Sequence, residues 1–184
     1  MMNATSLQQH TPLDGKERAD LAAMLVYAQT LKEPFSRKQW PAHFTGSAVV
    51  VDPSGTRVCM LLHGKLKRWL QPGGHVEASD GGDLSVAALR EAREETGLDV
   101  SFHPRAARPF DVDAHVIPAK GEEPQHTHLD VRYALVASNP EALKHDPNES
   151  GGARWLTFDE ALKLADDDAL KRLLRKAREL PLPP

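Results

Sequence analysis

Gly73-Gly74, followed by Arg90-Glu91-Ala92-Arg93-Glu94-Glu95-Thr96-Gly97, is the stretch on which the reading of this chain turns. At about 100° per residue in a helix, Glu94 and Glu95 fall three and four positions after Glu91 and share its side. Val86 and Leu89 are expected to point the other way, flanked by the small residues Ala88, Ala92 and Thr96, which gives an apolar back and an acidic front. Asp83 suits the N-cap, and Gly97 suits the left-handed residue that ends a helix before Leu98-Asp99-Val100 resumes an extended pattern.

Two physical readings of that front differ by an order of magnitude. On an open helix face, like charges three or four apart repel by only about 0.2–0.5 kcal/mol per pair, and the three glutamates need no partner. In a cleft of effective dielectric near 20, at about 5 Å separation, each pair repels by roughly 3 kcal/mol, and protons or cations must compensate. The carboxylates alone leave both readings open.

Their neighbours add a pattern. The run Gly74-x5-Asp80, then Arg90-Glu91-Ala92-x-Glu94-Glu95-x-Gly97-Leu98, resembles the signature of the Nudix hydrolases, G-x5-E-x7-R-E-U-x-E-E-x-G-U with U aliphatic. Two departures mark it: Asp80 stands where the family has Glu, and nine residues rather than seven separate it from Arg90. The extra length falls in the turn-rich Asp80-Gly81-Gly82-Asp83, where it need not disturb the register of the helix. Spacing leaves open whether Glu77, Asp80 or Asp83 pairs with Arg90.

The resemblance spans roughly residues 43–165 and implies an α/β/α sandwich around a mixed sheet, with residues 1–42 as a helical extension and 43–184 as the domain proper. It further implies metal-dependent hydrolysis of a phosphoric anhydride bond in a nucleoside diphosphate linked to another group. Glu91, Glu94 and Glu95 would ligate Mg2+ or Mn2+, the main-chain carbonyl of Gly73 would complete the coordination, and Arg90 would orient the carboxylates. Hard cations take oxygen ligands and bridge to substrate phosphates, which suits this set. The base would be Glu91 or an acid from a later loop, for which Glu149, six residues before Trp155, is the candidate. The alternatives are a catalytically idle nucleotide-binding module, or an interaction domain that docks a partner through its first helix.

Length and composition agree with one ordinary domain carrying appendages. The 184 residues bear a net charge of −3, so the basic footprint of a duplex nucleic-acid binder is missing. Cys59 is the single cysteine, which excludes an intrachain disulfide and suits a reducing cytoplasm. No apolar run has membrane-spanning length, and residues 1–10 are too polar for a signal peptide.

Periodicity places a first helix over 14–32, which could pack on the domain or on a second subunit as a homodimer. A strand follows at 44–51, a return strand at 57–62, strands at 98–103, 109–117, 128–137 and 154–156, and helices at 158–165 and 168–180. The basic loop of Lys65, Arg68 and Trp69 could meet phosphates and stack a base, although packing is the commoner duty of such a tryptophan. Asp111, Asp113 and His115 alternate on one strand, and His126, His128, Asp130 and Arg132 on the next. Period two puts each group on one face and a hairpin would join the faces. Three readings compete: a zinc-type metal site, substrate contacts in the cleft, or a wet polar face.

Overall fold

A computed structural model describes residues 4–64, 66–145 and 150–182. Two helices open it, α1 (Ala4–Gln8) and α2 (Gly15–Thr30), the second capped by Asp14, whose carboxylate accepts the Glu17 N–H at 2.8 Å. The sheet is built on two long parallel neighbours, β1 (Ala42–Val51) and β7 (His126–Ala137), paired along their whole length from Ala42↔Thr127 to Val51↔Val136. At one end they are flanked by β2 (Arg57–His63) and β5 (Val100–Phe102), and at the other by the short β4 (Gly73–His75) and by β6 (Asp111–Ile117). β2 in turn pairs with β3 (Trp69–Leu70) and β8 (Ser150–Thr157).

Strand alternation sends the two faces of this sheet to different partners. Phe44, Ala48 and Val50 of β1, with Leu129, Val131 and Leu135 of β7, pack under α2 and α3 (Leu84–Thr96). The alternate residues Val49, Val51 and Ala134 pack under α4 (Phe158–Leu164) and α5 (Asp168–Arg178) through Phe158, Ala161, Leu170 and Leu173. The result is the α/β/α sandwich expected of the sequence. Leu21 and Met24 of α2 belong to the same core as β1, so the first helix packs on its own chain.

Helix α3 sits closer to the sheet than the expected apolar back would allow. A Cβ on Gly46 would stand 2.7 Å from the Leu84 carbonyl oxygen and 3.2 Å from the Ala88 nitrogen. Small side chains suit such an approach, and Ala87, Ala88 and Ala92, with Leu84 and Thr96 at the ends, form the buried side. Val86, assigned to the back from the sequence, is 42% exposed. Glu91 lies four residues after Ala87, and Glu95 three after Ala92, so these acids continue the buried stripe rather than oppose it. Once the helix runs past β1, that stripe meets the glycines of β4.

The longer elements agree with the sequence reading within a few residues, whereas α1 and the short strands β3 and β4 have no counterpart in it. α3 starts after Asp83, which accepts the Ser85 N–H at 2.8 Å, and ends on Gly97 at φ 64°. β8 begins at Ser150 rather than 154, and the connection before it holds a 3-10 turn, Pro140–Ala142.

Candidate active site

Strand β4 and the C-terminal half of α3 make the acidic site. Gly74 pairs with Gly46 and Gly73 with Ser47, which brings the glycine pair under the helix. Gly73 adopts φ 156° and a Cβ there would stand 2.6 Å from the Cα of Ser47, so that position demands glycine, while a Cβ on Gly74 would lie 2.5 Å from Oε1 of Glu91 and push that carboxylate aside. The Gly73 N–H donates to Oε2 of Glu95 at 2.8 Å, fixing that carboxylate on the strand.

Arg90 organises the other acids. Its Nε and Nη2 donate to the two oxygens of Asp80, each at 3.0 Å, in the forked pairing that suits a guanidinium. Nη1 reaches Oε1 of Glu91 at 3.1 Å and Oε2 of Glu94 at 2.7 Å, and Nη2 also donates to the His75 carbonyl at 2.9 Å. Of the three acids left open by spacing, Asp80 is therefore the partner of Arg90. It arrives there because a 3-10 turn, Ala78–Asp80, folds the inserted loop back, with the Asp80 carboxylate also accepting the Glu77 N–H at 2.7 Å. Burial alone would raise the Asp80 carboxyl, but the Arg90 guanidinium and that N–H outweigh it and hold it below the usual carboxylate range.

Thus Glu91 and Glu94 share one guanidinium while Glu95 is anchored separately at Gly73. The Glu94 side chain is 55% exposed and that of Glu91 13%, so the acidic end grades from the strand into solvent. Oxygen donors of this kind, with a backbone carbonyl beside them, fit hard dications such as Mg2+ or Mn2+. Glu149 lies outside the described residues, as does Lys65. Arg68 is paired with Asp166 and Asp167, and Trp69, half-buried, has the Arg154 guanidinium 5.5 Å from its ring centroid.

The second polar group of the sequence does meet across a hairpin, with His115↔His128, Asp113↔Asp130 and Asp111↔Arg132 in register. Its two ends behave differently. Toward the C-terminal end of β7, Arg132 is buried and pairs with Asp130 at 2.9 Å, Asp113 at 3.0 Å and Asp111 at 3.4 Å. Arg172 and Lys176 of α5 reach Asp111 at 2.9 and 3.1 Å, and Lys176 reaches Glu17 of α2 at 2.9 Å. Asp130 accepts the hydroxyls of Thr45 at 3.0 Å and Ser47 at 2.7 Å. Asp130 and Arg132, expected among the substrate contacts, are thus spent inside the protein, tying α2, the sheet and α5 together.

At the other end the histidines gather. Among the described residues, His43, His75 and His128 are the one group of three or more potential ligands whose donor atoms all lie within 4.8 Å of one another. They come from three adjacent strands, since His43 is in register with His128 and His75 with Thr45. The His126 ring stacks on His43 at 5.0 Å, and His115 lies 5.6 Å from His128. Burial first, then the neighbouring imidazoles, pushes His75 down to about 4 and His128 to about 2, so both rings are neutral at neutral pH. Sequence alternation gives His126 and His128 but misses His43 and His75. A histidine directly after Gly73-Gly74, and another at the start of the buried strand β1, were the signals.

These arrangements were compared with known proteins. The NUDIX domain family matches residues 42–177. A Nudix-family hydrolase from Clostridium perfringens has a similar structure at 24% identity and TM-score 0.55, covering 74% of this chain and 94% of that one. An Ap4A hydrolase of C. elegans, solved as a binary complex, is 23% identical with TM-score 0.50, covering 72% and 93%. The E. coli dihydroneopterin triphosphate pyrophosphohydrolase is 18% identical with TM-score 0.51, covering 72% and 92%. No curated protein matches the sequence. With the family match spanning most of the chain, and the glycine pair, Arg90 and the three glutamates assembled at one site, this protein belongs to the Nudix family, the hydrolases of acid anhydrides.

Proposed function

We propose that the protein hydrolyses the pyrophosphate bond of a nucleoside diphosphate linked to another group, or of a close nucleotide relative, with the help of Mg2+ or Mn2+. The observation that supports this most is the convergence of Glu91 and Glu94 on Arg90 beside Glu95 on the Gly73 N–H. That arrangement presents oxygen donors of one charge sign at the edge of the sheet, and Glu91, Glu94, Glu95 and the Gly73 carbonyl are the proposed ligands. The metal, when bound, would neutralise the phosphate oxygens and ease deprotonation of the attacking water.

The chain's own groups divide the remaining work. Arg90, locked by both oxygens of Asp80, positions the Glu91 and Glu94 carboxylates, so neither has to be ordered during the reaction. Gly73 and Gly74 let a substrate and the carboxylates approach the backbone without a side chain between them. In the step itself a water oxygen bonds to phosphorus and the bridging P–O bond breaks. The water's proton passes to a carboxylate oxygen, assigned to Glu91, with Glu149 as the later-loop candidate. A cytoplasmic setting belongs to the same proposal and suits the single, buried thiol of Cys59.

A phosphate-release screen tests this. Nucleoside triphosphates, nucleotide sugars, ADP-ribose, dinucleoside polyphosphates, coenzyme A and capped RNA would each be offered with Mg2+ and with Mn2+. Cleavage of at least one at an anhydride bond, abolished by EDTA, is expected. Binding without cleavage across the whole set contradicts the reading.

A further inference from the structure

We propose that His43, His75 and His128 form a second metal site, distinct in chemistry from the glutamates, that takes one transition-metal dication, Zn2+ before any other. The site is built across three neighbouring strands, β4, β1 and β7, and not on a loop. Its three donor atoms already stand within 4.8 Å of one another. Three nitrogens held about 2.0–2.1 Å from a tetrahedral zinc are roughly 3.4 Å apart, so side-chain rotation of about an ångström closes the set without moving the sheet.

An independent observation concerns His43. Nδ1 of this fully buried residue faces the Gln39 carbonyl at 3.4 Å. That contact assigns the proton to Nδ1 and leaves the lone pair on Nε2, the pattern of a metal-binding histidine whose other nitrogen donates to the backbone. Nε2 is buried and has no hydrogen-bond partner. Stacking of His126 at 5.0 Å fixes the His43 ring plane, and Nδ1 of His126 is itself engaged by the Pro124 carbonyl at 2.9 Å. A buried, unsatisfied imidazole nitrogen among two further imidazoles has a ready partner in a borderline dication, which an apolar packing role would not supply.

Imidazole donors favour zinc and its transition-metal neighbours, whereas Mg2+ and Mn2+ prefer the oxygens of the glutamate helix. Both sites meet at β4, where the His75 carbonyl accepts from Arg90. The proposal does not depend on the hydrolase reading. Three protein ligands leave one zinc position for a water or a substrate oxygen.

Full-length protein without a histidine tag, stripped with EDTA and then dialysed, would be titrated with Zn2+ in excess Mg2+ by calorimetry. One equivalent that Mg2+ does not displace is expected. His75→Gln and His128→Asn should each weaken Zn2+ by at least about 100-fold with unchanged circular dichroism, while His145→Ala and Glu94→Gln should leave it as it was. Co2+ on the unaltered protein provides a reading independent of any variant: intense visible bands of low-coordinate cobalt are expected. Zinc that Mg2+ displaces, wild-type affinity in both histidine variants, or only the pale spectrum of six-coordinate cobalt would overturn the site. Loss of hydrolysis in Glu94→Gln with zinc binding intact would separate this outcome from the fate of the hydrolase reading.

Discussion

Two groups of carboxylates in this molecule are made of the same residue types and do opposite things. In the network between α2, β6, β7 and α5, the four acids Glu17, Asp111, Asp113 and Asp130 meet four cationic side chains, Lys16, Arg132, Arg172 and Lys176. All four acids are buried. At the end of α3, a single guanidinium serves Asp80, Glu91 and Glu94, and Glu94 reaches into solvent. Charge balance with burial yields a clamp, in which the loss of one partner leaves an uncompensated charge. Negative charge gathered beside glycine at a wet edge is the proposed place for cations and, through them, phosphate. The difference lies in the neighbours each backbone path delivers, not in the acids.

The sharpest way to break the comparison is to remove one acid from each side. Glu94→Gln should lower turnover by about 10³-fold, equivalent to about 4 kcal/mol of barrier, and leave the melting temperature within a few degrees of wild type. Steady-state kinetics at saturating Mg2+ with calorimetric melting checks both halves. Near-native turnover would remove Glu94 from the mechanism. Glu17→Gln should do the reverse. Breaking a buried ion pair costs about 3 kcal/mol or more, which lowers Tm by on the order of 10 °C in a domain of this size, while Mn2+ binding stays unchanged.

A substitution that touches neither set of acids sharpens the point. Gly46→Ala drives a methyl into the Leu84 carbonyl, and backbone cannot yield as a side-chain tip would. A cost of about 2 kcal/mol is expected from the overpacking, together with reduced activity because α3 and its glutamates shift off β4. Chemical denaturation and kinetics on the one variant would register both.

The smallest effect is acid sensitivity. Burial by itself would raise the Glu17 carboxyl, but hydrogen bonds from His10, the Leu13 N–H and Lys176 hold it far below its ordinary 4.5. A depressed carboxylate stabilises the fold above the unfolded-state value and loses that contribution as pH falls through the folded one. Stability should therefore begin to decline below about pH 4.5, by about 1 kcal/mol at pH 4 from this group. Melting curves of the wild type and Glu17→Gln from pH 7 to 4 should converge; parallel curves would contradict the assignment.

What the sequence disclosed follows the range of the forces involved. Local chemistry was readable: Asp83 and Gly97 bound α3, the strands alternate as expected, and the acidic turn falls at the helix end. Val86 was misplaced because the seat of α3 is set by Gly46, on a strand that local periodicity cannot relate to the helix. Asp80 could not be singled out as the partner of Arg90, since the 3-10 turn that delivers it depends on an inserted loop with several acids. His43 and His75 join His128 through parallel and antiparallel pairing of separate strands, and the bond from Lys176 to Glu17 spans 159 positions. Local pattern can mark such side chains one by one, but only the sheet shows that they meet.

The central claim is that the α3 glutamates, seated on the glycine strand, hold the hard cation on which anhydride cleavage depends. Mn2+ binding followed by paramagnetic resonance, in the wild type and in the Glu91→Gln/Glu94→Gln double variant, tests it most directly. The account predicts tight Mn2+ binding that sharpens with a nucleoside diphosphate derivative and is lost, with all cleavage, in the double variant. Equal Mn2+ binding in both proteins would contradict it.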